Sequence, residues 1–322
     1  MFVMESPEQE ISSAILSGNF SRGVQLAEDW AKSLPLKTEP AKELAAAEAF
    51  KITRFLVHRQ DRVQNIGQGR ERAKIFLEMI HEIETRFTAR HSIPVILASV
   101  YKYCHSQIST GLAREFAGQK AYQLDQSEIL QLAISLIEIS NFASSLETLS
   151  FLKKMNPNSA PVNYLMAYCY SQMGDSKAVR ESLRLALFVQ PELIQKYAKF
   201  LPGGIFSEIY SRLEDYPVEL KDRYFALFLE VNGIYLSPWR LKDNEIQRIT
   251  GEYQKLKKEY EQNARLHEEL KPRLMHYLCV LVSATHEIRN LDAMEDFREQ
   301  LIEFDRSIWE TFQQKNLVNP GR

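Results

Sequence analysis

Three dipeptides, His81-Glu82, His267-Glu268 and His286-Glu287, each begin like the helical zinc-protease motif. That chemistry needs a second histidine four residues after the first, so that two imidazoles on one helix face meet a single metal ion. The residues at those places are Thr85, Lys271 and Asn290, none of which completes the site. Gly67-Gln68-Gly69-Arg70 is too short for a dinucleotide or phosphate loop and follows a helical pattern where a strand is required, so it is expected to be a turn between helices. A serine flanked by glycines two before and two after does not occur, and the adjacent Cys104-His105 has no supporting context. Lys255, Lys257 and Lys258 are interleaved with Glu252, Glu259 and Glu261, a pattern of exposed intrahelical pairs rather than a nucleic-acid face. The expectation is therefore a non-catalytic protein with no metal or other cofactor and no nucleic-acid partner.

The elements that must carry any function are helical. Pro157 and Pro191 stand 34 residues apart, and each closes a pair of short apolar-periodic segments. Between Ala160 and Pro191, small or turn-forming residues occupy Ala167, Gly174 and Ala186, with Tyr170 and Leu183 as fillers and Pro191 as the stop. One period upstream stand Ala133, Leu136, Ser140, Leu149, Leu152 and Pro157. Upstream again, Ile93 to Tyr103 and Leu112 to Leu124 suggest two amphipathic helices with a longer loop. Gly18-Asn19-Phe20 opens a pattern that finishes at Pro35, and Glu39 to Phe87 is expected to break into two helices near Asn65 to Gly69. No alternating apolar-polar run suggests a sheet.

The period and those six positions resemble the tetratricopeptide repeat, in degenerate form, with Asn163 where the family carries Trp. The resemblance implies an all-α fold: a right-handed superhelical solenoid of helix hairpins over 1–201, clearest at 124–157 and 158–191, followed by a bundle of longer helices over 202–322. In that bundle Ile246, Ile249, Tyr253, Leu256 and Tyr260 form a narrow stripe, Met294, Phe297, Leu301, Phe304 and Ile308 form another, and Leu274, Tyr277, Leu278, Leu281 and Ile288 a broader face. Pro272 is expected to end the first of these helices.

The resemblance also implies a role, a scaffold or adaptor that binds a peptide or helix of another protein in a concave groove. Carried onto this chain, the groove residues are Leu130, Ile134 and Ile137 from one copy and Tyr164, Tyr168 and Ser171 from the next. They are apolar and aromatic, unlike the lysine and asparagine that grip acidic chaperone tails. Two occupants of such a groove stay open, a partner segment and the chain's own later helices. Two other functions also stay open: an enzyme with a site assembled between solenoid and bundle, and a homodimer through the 246–260 stripe.

Composition sets outer bounds. The 322 residues are 45% hydrophobic and 25% charged, with a net charge of −2, an ordinary folded composition with no long-range pull on nucleic acid. Cys104, Cys169 and Cys279 are widely spaced and are expected to be buried free thiols of a reducing compartment. Met1 to Glu8 has neither a basic start nor a long apolar stretch, and the most apolar piece, Leu274 to Ala284, is too short to span a bilayer, so the expected location is cytoplasmic with no membrane insertion.

Overall fold

The computed structural model describes residues 6–34, 40–66, 69–87, 90–117, 125–213 and 217–318. Among these, every regular element is helical and there is no strand. Pro35, the Gly67-Gln68 pair and Ala121 to Leu124 lie outside the described residues. No helix there is long and apolar enough to cross a membrane. The chain divides into two compact units, Met1–Leu152 and Lys153–Arg322.

The first unit contains α1 (Pro7–Leu16), α2 (Phe20–Ser33), α3 (Pro40–Gln64), α4 (Arg70–Arg86), α5 (Pro94–Ala117), α6 (Gln126–Glu138) and most of α7 (Phe142–Met155). The break expected near Asn65 to Gly69 is present, since α3 stops at Gln64 and α4 starts at Arg70. Arg59 on α3 clamps Glu82 on α4 through both carboxylate oxygens, at 2.7 and 2.5 Å. The two short helices expected from Ile93 to Leu124 are instead one helix, α5, 24 residues long. Gly111 sits inside it where a glycine would ordinarily weaken the helix. Its missing side chain is what lets the α4 entry pack there, because a Cβ at Gly111 would lie 2.7 Å from the Gly69 carbonyl oxygen. Helix α5 packs on α1, α4 and α6. Its Tyr103 meets Phe20 and Phe76 edge-on at 5.1 and 5.9 Å.

The second unit continues with α8 (Ala160–Met173) and α9 (Ser176–Val189), short 3₁₀ turns at Pro191–Ile194 and Ala198–Phe200, then α10 (Ile205–Ser211), α11 (Val218–Val231), α12 (Asp243–Gln262), α13 (His267–Glu287), α14 (Leu291–Phe304) and α15 (Arg306–Phe312). The Leu201 to Gly204 breaker separates the 3₁₀ turns from α10. Pro272 does not end a helix. It lies in the second turn of α13, and the reversal before it is made at Asn263, whose side chain accepts from Arg265 N at 3.2 Å. As the sixth residue of the helix it lies past the first turn, so it leaves the Glu268 carbonyl without its i+4 donor.

Helix α13 is the core of this unit. Leu274 to Thr285 are twelve consecutive buried residues, enclosed by α11, α12 and α14. The α12 stripe is spent on this core: Ile249 and Tyr253 are fully buried and Ile246, Leu256 and Tyr260 pack against them. The α14 stripe closes over it, with Tyr260 edge-on to Phe304 at 5.5 Å and Tyr253 donating to Gln300 at 2.9 Å.

One turn recurs in the chain. At Gly18, Ser140, Gly174 and Arg289 the backbone takes a positive φ of 76, 64, 78 and 58°. In each, the N–H of that residue reaches the carbonyl three before it, and the next N–H reaches the carbonyl five before it. The residue that follows is Asn19, Asn141, Asp175 or Asn290, and its side chain caps the next helix by accepting the N–H three residues on, at 3.0 to 3.3 Å. Such a left-handed residue satisfies the last carbonyls of one helix while the Asx cap satisfies the first N–H groups of the next. Hairpins α1–α2, α6–α7, α8–α9 and α13–α14 are all closed this way.

Candidate functional site

The positions that carried the repeat pattern are interior. Ala133, Ala167, Leu149, Leu183 and Ala186 are fully buried, and Asn163 is buried with its amide donating to the Ser159 carbonyl at 2.8 Å. Small residues there bring the paired helices close, so Ser145 on α7 donates to the Ala133 carbonyl of α6 at 3.0 Å.

The six groove residues fall into different surroundings. In the first unit Leu130 and Ile134 are partly exposed along α6, while Ile137 is buried. In the second unit Tyr164 is only 2% exposed. Its ring stacks on Tyr197 at 5.6 Å and 11°, and its hydroxyl donates to the Gln190 carbonyl at 3.2 Å. Tyr168 is partly exposed and meets Phe200 edge-on at 5.3 Å, and Ser171 is partly exposed. The surface of α8 around Tyr164 is thus filled by the 3₁₀ turns that follow α9, and burial pushes the Tyr164 hydroxyl well above its ordinary range.

The strongest polar constellation was not foreseen. Arg184 on α9 pairs with Glu230 on α11, Nε to Oε2 at 3.0 Å with a second bond from Nη2, and its Nη1 donates to the Ser237 carbonyl at 2.7 Å. The guanidinium lies 4.3 Å from the Trp239 ring centre and 5.1 Å from that of Tyr235. His276 of α13 approaches Glu230 at 3.9 Å, yet both of its nitrogens lack a hydrogen-bond partner. Burial, reinforced by the charges of Arg273 and Arg184, holds His276 well below the usual imidazole range. The ring is therefore neutral at pH 7, and Glu230 is neutralised by Arg184 rather than by His276. Glu230 and His276 are 1% and 2% exposed, so this end of the cluster lies in the interior and ties α9, α11 and α13 together. Residues 46 apart in the chain make it, and no local pattern announces such a pair.

Two open clefts flank the Ser237 to Trp239 segment. One, of about 470 Å³, is lined by Lys153, Tyr170, Lys177, Glu181, Arg184, Trp239 and Arg240 among others. The second, of about 330 Å³, lies between α9 and α12 and holds Phe188, Trp239, Arg248, Glu252, Arg273 and Tyr277. In the second cleft Tyr277 donates to Glu252 at 3.1 Å and Arg273 lies over the Tyr277 and Phe188 rings, at 4.8 and 5.4 Å.

The histidines of the truncated zinc motifs do other work or none. His267 hydrogen-bonds the Tyr260 carbonyl at 2.7 Å and stacks on that ring at 4.0 Å, and His81 and His286 are exposed. Among the described residues no group of three His, Cys, Asp or Glu is placed to hold a metal ion. All three cysteines are buried and free, with burial pushing the Cys104 thiol up to about 12 and the Cys279 thiol well above its ordinary value. Neither thiol is a nucleophile at neutral pH.

No protein-family model matches the chain, and no curated protein or solved structure matches it either.

Proposed function

We propose that the protein is a non-catalytic scaffold of tetratricopeptide-like hairpins that holds a peptide or helix of another protein on the first helices of its repeats. The observation that carries this reading is the recurrence of one hairpin turn, 34 residues apart at Ser140 and Gly174, with a buried alanine in each first helix (Ala133, Ala167) and a buried leucine in each second (Leu149, Leu183). Hairpins of that kind bury one face against a neighbour and leave another for a partner. Leu130 and Ile134 on α6 and, taken separately, Tyr168 and Ser171 on α8 are the residues accessible to a partner, whereas Ile137 and Tyr164 serve the interior. Tyr168 suits such a contact because a rigid aromatic side chain buries much area at modest entropic cost.

Affinity capture from the source cell tests the proposal. Tagged wild-type protein is compared with Leu130→Asp combined with Ile134→Asp, and separately with Tyr168→Ala. The expected result is at least a fivefold loss of one recovered protein with either variant while the circular-dichroism spectrum stays helical. Equal recovery by wild type and both folded variants overturns the assignment of the partner surface.

A further inference from the structure

The 470 Å³ cleft of the second unit has a charge pattern that the scaffold reading leaves unused. Lys153 comes from the end of α7, Lys177 from the first turn of α9 and Arg240 from the segment before α12. Three cations from separate elements therefore line one cleft of a chain whose net charge is −2. Glu181 is the carboxylate of the lining, 4.0 Å from Lys177 Nζ, while Arg184 is already neutralised by Glu230. Lys153 and Arg240 have no ion-pair partner among the described residues. Burial lowers the Lys153 ammonium below its ordinary range, with Glu181 pulling the other way. Trp239 adds an indole N–H that is buried without an acceptor, and Tyr170 supplies a half-exposed aromatic wall.

We propose that this cleft is a binding site for a small phosphate-bearing polyanion, held by Lys153, Lys177 and Arg240 against the Tyr170 and Trp239 walls. A monocarboxylate carries one charge and leaves the cations largely uncompensated. A diphosphate or triphosphate places several oxyanions within the span of one small molecule, and lysine and arginine are both suited to phosphate oxygens. The volume also fits a small ligand rather than a folded partner. The cations of this cleft are not among the residues assigned to the partner surface, so either proposal can fail alone.

Calorimetric titration of the full chain with pyrophosphate, ATP, citrate and an Asp/Glu-rich peptide at low salt tests the assignment. Pyrophosphate or ATP is expected to bind, with affinity falling as salt rises, and Lys153→Ala combined with Arg240→Ala is expected to weaken binding at least tenfold. Lys255→Ala, on the exposed side of α12, serves as the control and is expected to bind as wild type. Chemical acetylation of the wild-type protein supplies a second readout that does not depend on a variant folding, with Lys153 and Lys177 expected to be protected by the ligand and Lys255 not. The proposal is overturned if neither phosphate compound binds, if citrate or the acidic peptide binds more tightly than both, if the double variant binds as wild type, or if no lysine of the cleft is protected.

Discussion

At the scale of single residues, the second unit depends on charges placed where water cannot reach. Arg184 and Glu230 are each under a tenth exposed and satisfy one another. Removing one partner leaves a buried charge without compensation, so Glu230→Ala is expected to lower unfolding stability by about 3–5 kcal/mol, measured by urea titration. His276 makes a different prediction. Its folded pKa is depressed, whereas in the unfolded chain it titrates near its ordinary value of 6.5. Below that pH the unfolded state binds a proton that the folded state refuses. The contribution of His276 is thus fully present above about pH 6.5 and is lost as pH falls from there toward the folded value. Lowering pH from 7 to 5.5 should cost the wild type about 1 kcal/mol more than it costs His276→Phe. Equal slopes for the two proteins would show that this imidazole does not titrate differently on folding. None of these residues was legible as a set, because periodicity reports which face of a helix is apolar and says nothing about which buried charges meet across 46 residues.

At the scale of elements, the hairpin turns were half legible. Gly174 declares itself, since glycine is the residue that takes a positive φ without strain. Ser140 is identifiable only by its distance of one period, and Arg289 by nothing except the Asn290 cap that follows. All three adopt the same conformation. A side chain in the left-handed region costs about 1 kcal/mol, so opposite substitutions should have opposite effects. Gly174→Ala is expected to destabilise by about 1 kcal/mol, and that cost is conformational, because no atom lies within 4 Å of the added Cβ. Ser140→Gly is expected to stabilise by about 0.5 kcal/mol, the relief being partly offset by a freer unfolded chain. Thermal unfolding of the two variants checks both signs. Gly111 shows the opposite case. A glycine ordinarily weakens a helix interior, but the close approach of the Gly69 carbonyl gives it a packing role inside one long helix.

At the scale of the whole molecule, the all-helical class and the separation of α3 from α4 follow from apolar periodicity and paired glycines. The positions of the clefts do not, because their linings are gathered from three or four elements each. The 246–260 stripe illustrates the same limit. A narrow apolar stripe on a charged helix invites pairing with a second copy, yet here α13 and α14 take it up. Tyr253→Ala is therefore expected to act on folding rather than association, lowering stability by about 3–5 kcal/mol while sedimentation velocity at several concentrations gives the wild-type result. A changed oligomeric state in that variant would mean that the stripe also serves an interface.

Helix α13 has a consequence for how this protein tolerates change. Most helices offer a solvent side on which nearly any side chain is accepted, and a saturation library then shows a tolerance pattern repeating about every 3.6 residues. From Leu274 to Thr285 no position faces water. Acceptance of charged replacements should therefore be uniformly low along that stretch and high from His286 on, with the periodic pattern running plainly along α12. The helix at the centre of this unit is thus the one in which drift is least free.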